Sequence, residues 1–235
     1  MGGAKFVDVR MRGFPRRAEV DAVLALLDAR TAPLAGEAVP LPEAAGRVLA
    51  ELVVSAVDVP GFARAAMDGY AVRANDTARP TSGTPRPLAV VGASMPARPF
   101  AGAVHPGEAV RITTGAPVPA GADAVLMAEH AQLDPDGLVR PREPVAPGKH
   151  VVRVGEDVAK GAAVLSAGRL LRPQDVGLLA SIGTATVRAV RRPRVTILVT
   201  GNELLPPGAS PEGFRIVDSN SPMLAALAAR DGADV

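Results

Sequence analysis

Two segments far apart in the chain, DVPGFARAAMDGYAVR at 58–73 and VRITTGAPVPAGADAV at 110–125, place acids and hydroxyls on stretches too rich in Gly and Pro for a helix or strand interior. Gly61, Gly69, Gly115 and Gly121 permit backbone angles closed to other residues, and Pro60, Pro117 and Pro119 stiffen the approach to them. Asp68 and Thr114 are therefore expected at loop tips, where binding groups are usually presented. The competing reading is that these are connecting turns whose Asp and Thr satisfy nearby backbone amides.

A third group lies near the end of the chain. VTILVT at 195–200 is a continuous apolar, β-branched run, the pattern of a parallel strand covered on both faces. The loop GNELLPPGASPEGFRIVD follows, then a helix over MLAALAAR, with Ser221 as its cap and Pro222 in its first turn, that ends at Gly232 before ADV opens another strand. In such a βαβ unit the ligand lies beyond the carboxyl ends of the strands, beside helix amides that attract anions. Glu203 sits past the first strand, and Asp218, Ser219, Asn220 and Ser221 sit at the helix entrance. Amides and hydroxyls there suit a phosphate, and two carboxylates suit a hard cation such as Mg²⁺ bridging phosphate oxygens. Helix capping by Asp218, Ser219 and Ser221, and a solvent-facing Glu203, are the alternatives.

The elements that must hold these loops can be read from periodicity. Val20, Val23, Leu24 and Leu27 in AEVDAVLALLDAR fall at helical spacing and predict an amphipathic helix, and LPEAAGRVLAELV predicts a second, entered through Pro42, before the chain extends over 53–59. From Pro60 to Pro147 short apolar runs, Leu88 to Val91 and Ala124 to Met127 among them, alternate with turn sequences and predict a compact β-rich insert. VVRVGEDVAKGAAVLSAG then reads as strands and turns, RPQDVGLLASIG as a helix with Pro173 in its first turn and Gly183 past its end, and TATVRAV as a strand. The resulting fold class is α/β plus β in a multi-domain, elongated chain: a discontinuous α/β domain from 11–59 and 148–192, an inserted β-rich lobe at 60–147, and the start of a Rossmann-like α/β domain at 193–235.

Composition excludes several chemistries. The 235 residues contain no cysteine, so disulfides, thiolate metal sites and cysteine nucleophiles are absent. The pI of about 9.5 reflects 23 arginines against three lysines, yet the net charge is only +2 and the basic residues are interspersed with acids. Short basic patches occur at 10–17 and 188–194, but one Tyr, five Phe and no Trp supply almost nothing to stack on bases, so a nucleic-acid partner is not expected. MGGAKFVDVR lacks the apolar core of a signal peptide and no apolar run is long enough to span a bilayer, which makes a cytoplasmic location, with no membrane partner, the expectation. His105, His130 and His150 match no metal-ligand spacing and read as surface or loop residues.

AMDGYAVR, RITTGAPVPAGADAVLM, VRVGEDVAKGAAVLSAGRLLRPQDVGLLASIG, VTILVTGNEL and IVDSNSPMLAALAARDGADV occur in the order seen in molybdopterin molybdenumtransferases, and the chain resembles that family, which includes the gephyrin C-terminal region, from about Arg16 onward. The resemblance implies the discontinuous domain and inserted lobe above, with the last segment similar to the α/β domain of molybdopterin adenylyltransferases. It implies a transferase that takes adenylylated molybdopterin and molybdate and releases AMP, with Mg²⁺ assisting. The matching positions are Asp68, Thr114 and Asp157 as catalytic residues. Gly115, Glu203, Asp218, Ser219 and Asn220 match as cofactor contacts, with Glu203 and Asp218 also as cation ligands. A homodimer is implied, in which Asp68 and Thr114 of one subunit face Glu203 and Asp218 of its mate, and molybdopterin adenylyltransferase and molybdoenzymes are implied as partners.

Two departures from the family pattern stand out: Arg64, Ala65 and Ala66 where many members have polar residues before AMDGYA, and Asn202 where an Asp is common. The chain also stops at Val235, where the resemblance implies further strands, helices and a small β-domain. The βαβ segment by itself is therefore expected to expose apolar surface. A cofactor- or peptide-binding scaffold is the alternative function, and an adenylyltransferase, which would match only the last block, a weaker one.

Overall fold

The computed structural model describes residues 17–78 and 86–235. Residues 10–16 of the first basic patch, the MGGAKFVDVR start and the first residues of the expected 11–59 segment lie outside the described residues. The chain divides into two units: Ala38–Arg188, and a smaller one that joins the residues up to Glu37 with Ala189–Val235.

Helix α1 spans Val20–Arg30 as its periodicity predicts, but none of its residues is buried, so the apolar stripe of Val20, Val23, Leu24 and Leu27 forms without a packed partner among the described residues. Strand β1 (Gly36–Pro40) follows. The expected second helix does not form. Only a single 3₁₀ turn, Leu41–Glu43, appears, with Pro42 near its start. Gly46 then takes a positive φ of 77° and donates its N–H to the Leu171 carbonyl at 2.8 Å. Leu49 N–H donates to Arg169 O and Leu171 N–H to Arg47 O, both at 2.8 Å, and Leu49 is fully buried. Backbone pairing with a distant segment thus overrides helix propensity.

That pairing continues. β2 (Val53–Val54) and β3 (Arg64–Ala65) run antiparallel to β11 (Ala163–Leu165) and β10 (Val151–Val152) respectively, with a Val59–Val158 bridge between the two pairs. Between these flanks lie β4 (Gly69–Val72), β5 (Leu88–Ser94), β6 (Glu108–Ile112), β7 (Ala124–Met127), β8 (Ala131–Leu133) and β9 (Leu138–Pro141). They form one sheet in the order β7-β4-β6-β5-β9-β8. Every neighbouring pair is antiparallel except β5 with β6, which makes the sheet mixed. The β-rich insert expected over 60–147 contains this sheet.

Both faces of the sheet are covered over β7, β4 and β6. Ala71, Val110, Ile112 and Val125 pack in one cluster, while their neighbours Val72, Ala109, Ala124 and Leu126 pack in another. The period-two alternation of a strand sends adjacent residues to opposite faces, so near-continuous apolar runs are what this sheet requires.

Helix α2 (Pro173–Ser181) has the bounds its caps predict. The Asp175 carboxylate, itself buried, accepts the Arg172 N–H at 2.9 Å and the Arg169 guanidinium through two bonds of 2.9 and 3.0 Å. The Arg169 and Arg172 side chains, then the Arg172 amide, hold its carboxyl far below the ordinary value of 3.8. At the other end Gly183 N–H donates to Ala180 O and Thr184 N–H to Leu179 O, both at 3.0 Å, the glycine stop expected there. β12 (Thr186–Val190) then pairs with β1.

The smaller unit departs from expectation at 195–200. VTILVT is not a strand: the nearest ladder contact is the parallel bridge of the preceding Arg194 with Asp234, supported by Val195 N–H to Asp234 O at 2.8 Å. A strand is made by its neighbours, and the backbone groups beyond Val195 find no ladder among the described residues. Leu198 is 85% exposed in consequence. Within the expected loop a short parallel pair forms instead, β13 (Leu204–Leu205) with β14 (Ile216–Val217). Helix α3 (Asn220–Arg230) forms as expected and stops at Gly232, but Ser221 lies inside its first turn rather than at the cap. Phe214, fully exposed, and the half-exposed Leu224 show the uncovered apolar surface that the isolated segment was expected to have.

Two expected outcomes follow from this packing. A Cβ on Gly69, whose φ is +156°, would meet the Leu126 carbonyl oxygen at 2.0 Å and the Ala128 amide nitrogen at 2.9 Å. Gly69→Ala therefore lowers the unfolding free energy by about 2 kcal/mol or more in denaturant titration, whereas Gly137→Ala, at φ +81° in open space, costs about 1 kcal/mol. Asp175→Asn removes a carboxyl whose folded value is depressed. The stability this carboxyl contributes is fully present above the ordinary value of 3.8 and drains as pH falls below it, so the melting temperature of the variant should depend less on pH in that acid range than that of the parent.

Candidate functional site

The strand register brings the first two singled-out residues together. Gly69 pairs with Ile112 across the β4-β6 ladder and with Met127 across β4-β7. Asp68, one residue before β4, and Thr114, two residues after β6, therefore emerge at the same end of the sheet. Gly115, at φ +83°, turns the chain so that its N–H reaches the Ala65 carbonyl at 2.8 Å, and Ala65 N–H returns to Ala116 O at 2.9 Å. The Asp68 backbone carbonyl is held by Ala128 N–H at 3.1 Å.

In this frame Asp68 Oδ1 accepts the Thr114 backbone N–H at 2.6 Å and the Thr114 hydroxyl at 2.8 Å. These two bonds, the backbone one first, hold the Asp68 carboxyl below its ordinary value although the residue is exposed. Asp68 is therefore an anion whose second oxygen has no partner among the described residues. Thr114, expected as a catalytic residue, commits both of its donors to Asp68. Its role in the described geometry is to fix the acid.

A cavity of about 600 Å³ opens beside the pair, lined by Asp68, Tyr70, Val90, Arg111, Thr113 and Leu133 among others. Tyr70 and Arg111 were not singled out by sequence reasoning. Alternation along β4 and β6 was the available signal, since it places 68, 70, 111 and 113 on one face.

Asp157 lies in the turn after β10. Its N–H donates to Val59 O at 2.9 Å, and its carboxylate meets the Arg64 guanidinium at 3.4 Å. Arg64, a departure from the family pattern that lies on β3 four residues before Asp68, thus has Asp157 as a defined partner. Nearby, Asp58 Oδ1 accepts the Lys160 N–H at 2.7 Å.

In the smaller unit Asp218 Oδ1 accepts the N–H groups of Asn220 at 3.0 Å and Ser221 at 3.1 Å, so the acid caps α3 from just outside the helix. The Ser221 hydroxyl is buried without full hydrogen-bond geometry to any partner, yet it lies close enough to favour the charged carboxylate. That hydroxyl, then the Ser221 and Asn220 amides, hold Asp218 below its ordinary value. Ser219, Asn220 and Asp218 line a cavity of about 300 Å³ with Thr200 and Leu224.

Glu203 is placed elsewhere. It precedes β13 whereas Asp218 follows β14, so the two acids stand at opposite ends of a parallel ladder, with Ile216 N–H on Glu203 O at 2.8 Å and Asp218 N–H on Leu205 O at 2.9 Å. The Glu203 carboxylate folds back over Gly201. The two residues expected to share Mg²⁺ do not meet, and among the described residues no group of three or more His, Cys, Asp or Glu gathers to hold a metal.

The histidines also acquire a context that their spacing hid. His130 Nδ1 lies 3.1 Å from Glu143, and both line a cavity of about 520 Å³ with Lys149 and His150. His150 occupies the left-handed region at φ +59°, and partial burial, then Lys149 and His130, lower its pKa.

The Asp68–Thr114 contact generates a direct test. The Thr114 amide proton should titrate in an NMR pH series with a midpoint below 3.8, and Asp68→Asn should abolish that titration.

Residues 18–183 match the family model described as the MoeA N-terminal region, domain I and II. A molybdopterin molybdenumtransferase of Haemophilus influenzae is 41% identical over 188 residues, covering 80% of this chain and 45% of the relative. Molybdopterin molybdenumtransferase 2 of Mycobacterium tuberculosis is 43% identical over 197 residues, covering 84% and 48%. The solved molybdopterin biosynthesis moeA protein of Pyrococcus horikoshii superposes with a TM-score of 0.82 at 40% identity, covering 91% of this chain and 57% of that one. The chain spans about half the length of the curated relatives it matches, and among its described residues no helix is long and apolar enough to cross a membrane. With residues 18–183 matched by that family and the fold superposing over most of its length, the chain belongs to the MoeA N-terminal family.

Proposed function

We propose that the chain supplies one wall of the site in which molybdenum is inserted into adenylylated molybdopterin with release of AMP. The observation that carries the reading is the ionised Asp68, locked by Thr114 at the mouth of a cavity in a chain similar to molybdopterin molybdenumtransferases. A carboxyl held below its ordinary value is a charged hydrogen-bond acceptor rather than a proton donor at neutral pH. Exchange of one molybdate oxo ligand for a dithiol forms two Mo–S bonds and breaks one Mo–O bond, the oxygen leaving as water with the two thiol protons, and the unpartnered oxygen of Asp68 is suited to pass those protons on or to hold the donor edge of the cofactor. Thr114 and Gly115 position that carboxylate. Asp157, paired with Arg64, contributes charge beside the same loop.

On this reading 11–59 with 148–192 forms the discontinuous domain and 60–147 the inserted lobe. The Asp218, Ser219 and Asn220 entrance of α3 holds an anionic part of the substrate, and the protein works as a cytoplasmic homodimer whose second subunit completes the cleft. Molybdopterin adenylyltransferase, as supplier, and molybdoenzymes, as recipients, are the partners. A divalent cation such as Mg²⁺ would find single carboxylates, Glu203 or Asp218, rather than a cage, the pattern of an ion that takes most of its oxygens from phosphate and water.

Molybdate-dependent AMP release tests this. Asp68→Asn should retain the parent's circular dichroism and melting curve while lowering AMP release about 100-fold or more. Undiminished release in the variant removes Asp68 from the reaction.

A further inference from the structure

We propose that Arg111 and Tyr70 form an oxyanion subsite on the floor of the Asp68 cavity. The inference deepens the reading above and rests on it for which oxyanion binds, though not for the charge that is bound.

The argument begins with register. Tyr70 and Arg111 are directly paired across the antiparallel β4-β6 ladder, which puts their Cβ atoms about 5 Å apart. Strand alternation places Asp68, two residues before Tyr70, and Thr113, two after Arg111, on the same face. The four side chains line one cavity of about 600 Å³. The face changes character along its length. Val72, Ala109 and Leu126 pack in its apolar part, and beyond Tyr70 and Arg111 it turns polar.

Charge supplies the second step. Arg64, Arg73, Arg140, Arg169, Arg172 and Arg230 each stand against a carboxylate. Arg111 is exposed and meets no acid among the described residues, although Asp68 lines the same cavity. Asp68 Oδ1 is held by Thr114, and Thr113 directs its hydroxyl to the Met95 sulfur at 3.4 Å. The Tyr70 hydroxyl likewise has no partner among the described residues. A planar guanidinium and a phenol, both uncommitted and carried by paired residues that line one concave wall, are donor types that recognise a tetrahedral oxyanion. The ionised Asp68 at the rim sets a second requirement, because an anion alone is repelled there. The preferred ligand carries its oxyanion toward Arg111 and N–H or O–H donors toward Asp68. Phosphate esters and molybdate share the oxyanion chemistry.

The chain itself provides the reporter. Tyr70 is its only tyrosine and there is no tryptophan, so its intrinsic tyrosine fluorescence reads this cavity alone. Inorganic phosphate and AMP are titrated by calorimetry, with molybdate as a separate arm, and the phosphate titration is repeated by fluorescence. The expected result is binding that perturbs Tyr70 and weakens at least tenfold in Arg111→Gln, with partial recovery in Arg111→Lys and no change in the charge-matched control Arg98→Gln. Preference for AMP over molybdate would assign the subsite to the phosphate ester, and the reverse order to the metal oxyanion. Binding that is equal in parent and Arg111→Gln, or that leaves Tyr70 unperturbed, would falsify the subsite. A parent chain that releases AMP without Arg111-dependent binding overturns this inference alone. Arg111-dependent binding without AMP release supports the subsite and counts against the insertion reading alone.

Discussion

The larger unit depends on β4 being clasped between β6 and β7. Gly69 sits where the two ladders converge, opposite Ile112 on one side and Met127 on the other, with the Leu126 carbonyl in the space a side chain would fill. Only a residue without Cβ allows that approach. Once it is made, the acid before Gly69 and the hydroxyl beyond Ile112 must leave the sheet at one end, so the backbone brings Asp68 and Thr114 within reach of the two hydrogen bonds that join them.

The same clasp explains why a sheet can be a binding surface here. Strands β4, β6 and β7 bury both faces over most of their length, which fixes their register because a slip of one residue would exchange the two apolar clusters. Toward the Asp68 end the apolar cover stops and the pattern on one face becomes carboxylate, phenol, guanidinium and hydroxyl. Rigid strands therefore hold those polar groups and a loop carries only the tip, an arrangement that limits the ordering needed when a ligand binds. Asp175, clasped by Arg169 and Arg172, does similar work away from the site: buried charge that is fully paired anchors α2 against the returning chain.

The two families of acids differ in what occupies them. Asp68 and Asp218 are both held in the charged form by neighbouring amides, one by a loop and the other by a helix start. The helix-capping reading of Asp218 is visible in its geometry, and the binding reading requires that a ligand share amides the acid already uses. Asp68 keeps one oxygen uncommitted at a cavity. That difference makes the larger unit the stronger place to look for chemistry.

Local signals carried much of this protein. Pro173 and Gly183 bracket α2, Gly232 stops α3, and the run of glycines and prolines around Asp68 and Thr114 marks the turns that present them, because backbone angles and missing N–H groups act within a few residues. The five ordered blocks were enough to indicate the family. Tertiary structure decided the rest. LPEAAGRVLAELV carries helical residues, yet the amides of Leu41, Gly46, Leu49 and Ala50 are taken by the carbonyls of Ala185, Leu171, Arg169 and Arg188, more than a hundred residues away. VTILVT has the composition of a buried strand but borders only the preceding Arg194–Asp234 bridge, and composition makes no strand without a neighbouring ladder. Glu203 and Asp218 look like a pair in one dimension and stand at opposite ends of a ladder in three, whereas Tyr70 and Arg111, 41 positions apart, become neighbours. Which side chains share a cavity is set by strand register, and register is a property of pairings between distant segments that no local pattern contains.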